Sequence, residues 1–167
     1  MATETTTTSG RGGLLTRVFS TRPATREVDV ALLIVRIALA WIFIYYGGAK
    51  LFGWFDGAGI DGTADFMSDT AGLNPGGFFA VLGGVIELGG AIAIIFGLCS
   101  RLVGVALFGD MVMAMVTVTW AHGIHSNTNA GYEINLAVGA LALVVVLLGA
   151  GRFSIDALVA RRLAAQE

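Results

Sequence analysis

Five ionisable side chains stand in or at the ends of long apolar runs: Arg36, Lys50, Glu87, Asp110 and Glu133. A charge at membrane depth is costly, so such groups face a partner, water or a substrate path. The types present suit three kinds of chemistry: ion pairing between helices, proton relay, and holding a polar head group. Arg36 and Lys50 are 14 residues apart, close to four full helical turns. They therefore share one face of their helix, with Phe43 and Gly47 between them, and that face is expected to point inward.

The elements that position these groups are four apolar segments, at about 30–52, 77–98, 102–121 and 134–150. A span of a hydrocarbon core needs about 20 apolar residues. Backbone groups in lipid must bond within the chain, so each segment is expected to be a helix. The run Ala-Leu-Val-Val-Val-Leu-Leu at 142–148 shows none of the alternation a β-barrel strand needs. The joint between the second and third segments is only Cys99, Ser100 and Arg101, which forces an antiparallel hairpin. The expected fold is an all-α membrane protein, an antiparallel four-helix transmembrane bundle. Residues 1–28 read as a disordered basic tail, 29–152 as the transmembrane domain and 153–167 as a short second tail.

Arg11 to Arg26, Arg101, and Arg152, Arg161 and Arg162 fall on one side of such a bundle. The first outer loop carries Asp56, Asp61, Asp65 and Asp69 and no Lys or Arg. Basic loops stay in the cytoplasm, so both termini are placed there, in a bacterial inner membrane. Within the first loop, Thr63 to Ala71 is expected to form a short helix capped by Thr63 and ended by Gly72 and Pro75. Its Phe66, Met67 and Thr70 face lipid or protein, and its Asp65 and Asp69 face water.

At about 1.5 Å per residue, Arg36 lies about 9 Å and Asp110 about 12 Å in from the cytoplasmic side. Glu87 is near the middle, about 15 Å from the outer side, and Lys50 and Glu133 lie near the outer end. Arg36 can meet Asp110 or Glu87, and Lys50 can meet Glu133 or Glu87. Two readings stay open: pairs that only hold helices together, or a cavity for a polar head group, proton or quinone.

Composition bounds the rest. The chain of 167 residues is 56% hydrophobic and 13% charged, with a net charge of −2; a soluble domain carries about 25% charge. Nothing in it draws nucleic acid. The lone Cys99 excludes an intrachain disulfide and a Cys-based metal cluster. His122 and His125, three apart, could offer a weak metal site with Glu133 as third ligand. Hydrogen bonding of these histidines to neighbours is the competing expectation. No haem or iron–sulfur ligand set is seen. Gly89, Ala93 and Gly97 form a small-residue stripe expected to pack helices, or a second copy. Trp41, Trp54, Trp120, Tyr45, Tyr46 and Tyr132 read as an interfacial belt.

The order of motifs resembles the DoxX/DoxD-like family of small bacterial membrane proteins. The residues that carry the resemblance are Leu-Leu-Ile-Val-Arg36-Ile-Ala-Leu-Ala, Tyr-Gly-Gly-Ala-Lys50-Leu-Phe-Gly, Gly-Gly-Val-Ile-Glu87-Leu-Gly-Gly, Phe-Gly-Leu-Cys-Ser-Arg101, Gly-Tyr-Glu133-Ile-Asn135-Leu and Gly-Arg152-Phe-Ser-Ile-Asp156. It covers about residues 29–160. It implies that Arg36, Lys50, Glu87, Arg101 and Glu133 matter, and it implies a connection with oxidoreductases. DoxD-like relatives are the small membrane subunit of a thiosulfate:quinone oxidoreductase. The expected function is a membrane subunit that anchors a redox partner and binds quinone. A proton-coupled transporter and a structural scaffold are the alternatives.

Overall fold

The computed structural model describes residues 25–125 and 131–164. Of the expected tail at 1–28, residues 1–24 lie outside them, and 25–28 belong to the first helix. Among the described residues the chain is helical, with no strand. Helix α1 spans Thr25–Phe52. After a single 3-10 turn at Trp54–Asp56 comes α2, Gly59–Asp69. Helix α3 is Gly76–Phe96. Helix α4 is Ser100–Ala114 and continues through a π turn, Met115–Thr119, and a 3-10 turn, Trp120–His122. Helix α5 is Glu133–Leu148 and α6 is Ile155–Ala164.

Three of these helices are long and apolar enough to cross a membrane: α1, α3, and α4 with its continuation. The fourth, α5, is an apolar helix of 16 residues, about 24 Å long. It is two residues shorter at its far end than the expected 134–150, because Gly149 (φ +78°) leaves the helix.

The buried face of α1 is Leu32, Arg36, Leu39, Ala40, Phe43, Gly47 and Gly48, a stripe at the 3.6-residue period. It packs chiefly on α3, while α4 packs chiefly on α5; α3 meets α4, and α1 meets α5. The apolar core joins Leu39 and Phe43 of α1, Ala91 and Ile94 of α3, Leu107 and Met111 of α4, and Val138, Ala142 and Val145 of α5. The apolar residues left outside are many and large, among them Trp41, Leu102 and Leu147. An outward apolar face on every long helix is what a lipid solvent requires.

Close approach relies on glycines other than the expected stripe. A Cβ at Gly47 would lie 2.6 Å from the backbone N of Leu88, and one at Gly90 would lie 2.8 Å from Leu107. Gly89, by contrast, faces open space. The stripe of Gly89, Ala93 and Gly97 is therefore not the packing seam. Gly97 serves differently: at φ +66° it ends α3, against Ser154 and the Arg36 guanidinium.

Helix α2 begins four residues before the expected Thr63. Thr63 is buried within the helix rather than capping it. Gly59 at φ +67° makes the turn that starts the helix early. Its exit agrees with expectation: Gly72 stands at φ +68°, with Pro75 before α3. Asp65 and Asp69 face out. The helix seats on α3 where Gly76 touches the Ala64 carbonyl and the Ser68 hydroxyl.

The stretch after Gly151, expected to be a plain tail, contains α6. Ser154 Oγ accepts from the Ala157 N–H (3.2 Å), an N-terminal cap.

Candidate functional site

Two polar assemblies are separate, one at an end of the bundle and one within it. The first surrounds Arg36, which is 1% exposed. Its guanidinium donates four hydrogen bonds, all to main-chain carbonyls. Nε donates to Ile94 (2.7 Å), Nη2 to Ile95 (2.6 Å), and Nη1 to Ala150 (2.9 Å) and Phe153 (2.8 Å). Ile94 and Ile95 are in the last turn of α3, where carbonyls have spare acceptor capacity; Ile94 O also accepts the Gly97 N–H at 3.1 Å. The expected pairing of Arg36 with Asp110 or Glu87 is thus not formed. Carbonyls at the end of α3 and after α5 take four of its five N–H groups instead.

Asp156 completes this end. Its carboxylate accepts from the Cys99 and Ser100 N–H groups and from Ser100 Oγ, each at 2.8 Å, so α6 caps the start of α4. Partial burial pushes the Asp156 carboxyl up, but the Ser100 and Cys99 hydrogen bonds and the Arg36 charge outweigh it. The group is held below the usual carboxylate range. Asp29 of α1 accepts from the Arg152 N–H at 2.9 Å. The sequence signal for this knot was present in Ser154, Asp156 and Gly97, read before only as tail and stripe.

The second assembly is the cluster of Lys50, Glu87 and Asp110. Lys50 Nζ donates to Glu87 Oε1 at 2.6 Å, one of the two partners expected for it. The other, Glu133, pairs elsewhere. Glu87 is 1% exposed, and its Oε2 has no hydrogen-bond partner among the described residues; the same is true of Asp110 Oδ2. Asp110 stands beside Gly83, 3.9 Å from a Cβ placed there, and one α3 turn from Glu87. It interacts electrostatically with both Lys50 and Glu87.

The cluster lines a cavity of about 980 Å³, mostly apolar, between α1, α3, α4 and α5. Helix α2 covers one end with Gly62, Thr63, Phe66 and Met67, as expected for Phe66 and Met67. Two further features bear on access. Gly83 and Gly109 both line the cavity, and a Cβ on Gly109 would meet nothing within 4 Å. Gly109 is exposed, so the cavity wall is thin beside Asp110. The cavity is concave and apolar with a few convergent polar groups, the usual make-up of a small-molecule site.

Glu133 and the histidines lie at the end opposite Arg36. Glu133 Oε1 is 3.0 Å from His125 Nδ1. Among the described residues no three His, Cys, Asp or Glu side chains converge as a metal site would need. Trp120 stacks on Tyr132, and Tyr45 on Phe55.

Fold and site together define a multi-pass, all-helical membrane protein with a charged cluster buried in an apolar cavity. The chain belongs to the DoxX family and resides in the bacterial inner membrane. The family described as DoxX matches residues 31–120, and that described as TQO small subunit DoxD matches residues 77–167. The chain is similar to inner membrane protein YqjF of Escherichia coli (strain K12), 31% identical over 139 residues, 80% of this chain and 95% of that protein. It is also similar to the Bacillus subtilis (strain 168) protein described as "Putative oxidoreductase CatD", 29% identical over 118 residues, 71% of this chain and 81% of that one. No solved structure matches it significantly.

Proposed function

We propose that this protein is the membrane subunit of an oxidoreductase assembly, and that its cavity takes the head group of a quinone. The observation that carries the reading is the buried cluster of Lys50, Glu87 and Asp110 inside an apolar cavity, where two facing carboxyl groups share one cation. Two such carboxyl groups keep spare acceptor capacity, which a ligand hydroxyl can use. Lys50, already on Glu87 Oε1, has two further N–H donors for a carbonyl oxygen. A quinone/quinol couple offers both groups on one apolar ring. Bound, it supplies two-electron, two-proton chemistry; the chain's own part is to orient the ring and handle protons. The bare glycines Gly83 and Gly109 in the cavity wall suit entry from the bilayer. The similarity to a DoxD small subunit and to a protein described as an oxidoreductase supports the assembly.

In this reading four helices cross the membrane antiparallel, α5 being the shortest. Both termini lie in the cytoplasm with Arg101, Arg152, Arg161 and Arg162. The redox partner supplies the electrons, since the described residues offer no metal ligand set. Titration of the detergent-purified chain with 2-heptyl-4-hydroxyquinoline N-oxide, a fluorescent quinone-site ligand, tests the site. Saturable quenching is expected, weakened at least tenfold by Glu87→Gln. Equal binding by parent and variant would remove Glu87 from the site.

A further inference from the structure

The far end of the cavity carries a titratable pair that the Lys50 cluster does not use. Glu133 Oε1 contacts His125, whose ring is 69% exposed. Glu133 Oε2 is hidden from solvent, has no hydrogen-bond partner among the described residues, and belongs to a residue lining the same cavity as Glu87 and Asp110. The Glu133 side chain is 41% exposed, so one carboxyl group at the edge of the cavity touches both a water-facing imidazole and the cavity lining. Imidazole is the side chain suited to exchanging protons with water near neutral pH.

The interval between this pair and the cluster is polar on one side. Thr119 Oγ1 and Asn135 Oδ1 approach to 3.4 Å, and both line the cavity. Here α4 is wound as a π turn, a form that recurs at functional sites. Asp110 and Thr119 are nine residues apart, about 14 Å along the helix. That exceeds the reach of a direct transfer, about 3 Å, so water in the cavity must carry the proton. Each water takes about 30 Å³, and the cavity of about 980 Å³ has room for a chain of them.

We propose that Glu133 and His125 form the proton port of the cavity, linking the Glu87–Asp110 cluster to the aqueous phase on the side opposite the termini. The proposal rests on the quinone reading only for what the proton is finally used for. Reducing a quinone to its quinol takes two electrons, from a reduced centre on the protein partner, and two protons. The protons enter through His125 and Glu133, cross by water past Asn135, and reach the cluster; oxidation of the quinol runs the same path outward.

Two measurements on the full chain test it. In sealed vesicles, Asn135→Cys in a Cys99→Ser background is treated with a membrane-impermeant thiol reagent on either side. Labelling from the side opposite the termini is expected; no labelling, or labelling only from the C-terminal side, overturns the port whether or not quinone binds. In lipid nanodiscs, with protein in excess over menadione, reduction by dithionite is timed. Glu133→Gln is expected to slow it at least tenfold with unchanged menadione affinity, and Glu133→Asp to restore part of the rate. An unchanged rate overturns the port. Failure of the parent to hold menadione would sink the quinone reading and leave the labelling result to decide the port.

Discussion

Replacing Arg36 by Met is the most informative single change at the end of the bundle that carries α6. The guanidinium makes four hydrogen bonds of 2.6–2.9 Å to carbonyls from the end of α3 and the turn after α5. A hydrogen bond to a charged group contributes roughly 1.5–3 kcal/mol, so four give about 6–12 kcal/mol before the cost of burying the charge. That burial costs several kcal/mol, which leaves a net loss of about 3–5 kcal/mol for Arg36→Met. Arg36→Lys keeps the charge, but its three N–H groups on a tetrahedral head cannot serve four carbonyls in the guanidinium plane. It should recover about half of that loss. Denaturant unfolding in mixed micelles, followed by tryptophan fluorescence, measures both. Arg36→Met within 1 kcal/mol of the parent, or Arg36→Lys equal to the parent, would refute the reasoning, since either result means the four bonds contribute little.

The pH dependence of unfolding tests Asp156. Despite partial burial, its folded carboxyl is held below the ordinary carboxylate value by the Ser100 and Cys99 hydrogen bonds, so its contribution is full above that ordinary value and is lost as pH falls through the folded value; Asp156→Asn should flatten that acid limb. Lys50→Met or Glu87→Met alone should each destabilise by about 3–5 kcal/mol, while the double Met variant should lose clearly less than the sum, short of the parent because Asp110 is then left without its cation. Additive losses in a double-mutant cycle would contradict the 2.6 Å pair. Gly47→Ala should destabilise through its contact with the Leu88 backbone, whereas Gly109→Leu should fold normally and restrict ligand entry beside Asp110; thermal melts and ligand on-rates distinguish the two.

The long apolar spans were legible from hydropathy, and so was the inward face of α1, because 14 residues between Arg36 and Lys50 fix a shared side whatever surrounds them. The identity of Arg36's partners was not legible. Charge patterning pairs a cation with carboxylates, but main-chain carbonyls at helix ends carry no mark in the sequence. Lys50 and Glu87 were found because their positions along adjacent antiparallel helices put them at similar depth. Helix α6 had its signals, Ser154 as cap, Asp156 in the first turn and Arg161 and Arg162 in the last, yet its short length after a long apolar run hid them. The stripe of Gly89, Ala93 and Gly97 misled because spacing alone does not say which face of α3 meets α1. The π turn in α4 left no trace at all, since extra winding depends on packing and not on residue type.

The central claim is that the Lys50, Glu87 and Asp110 cluster forms the polar end of a quinone pocket entered from the bilayer. It is tested most directly by purifying the chain in native lipid and quantifying retained quinone by mass spectrometry. Near-stoichiometric quinone in the parent, with most of it lost in Glu87→Gln and Asp110→Asn, is the predicted result. Lipid alone in all three preparations would contradict it.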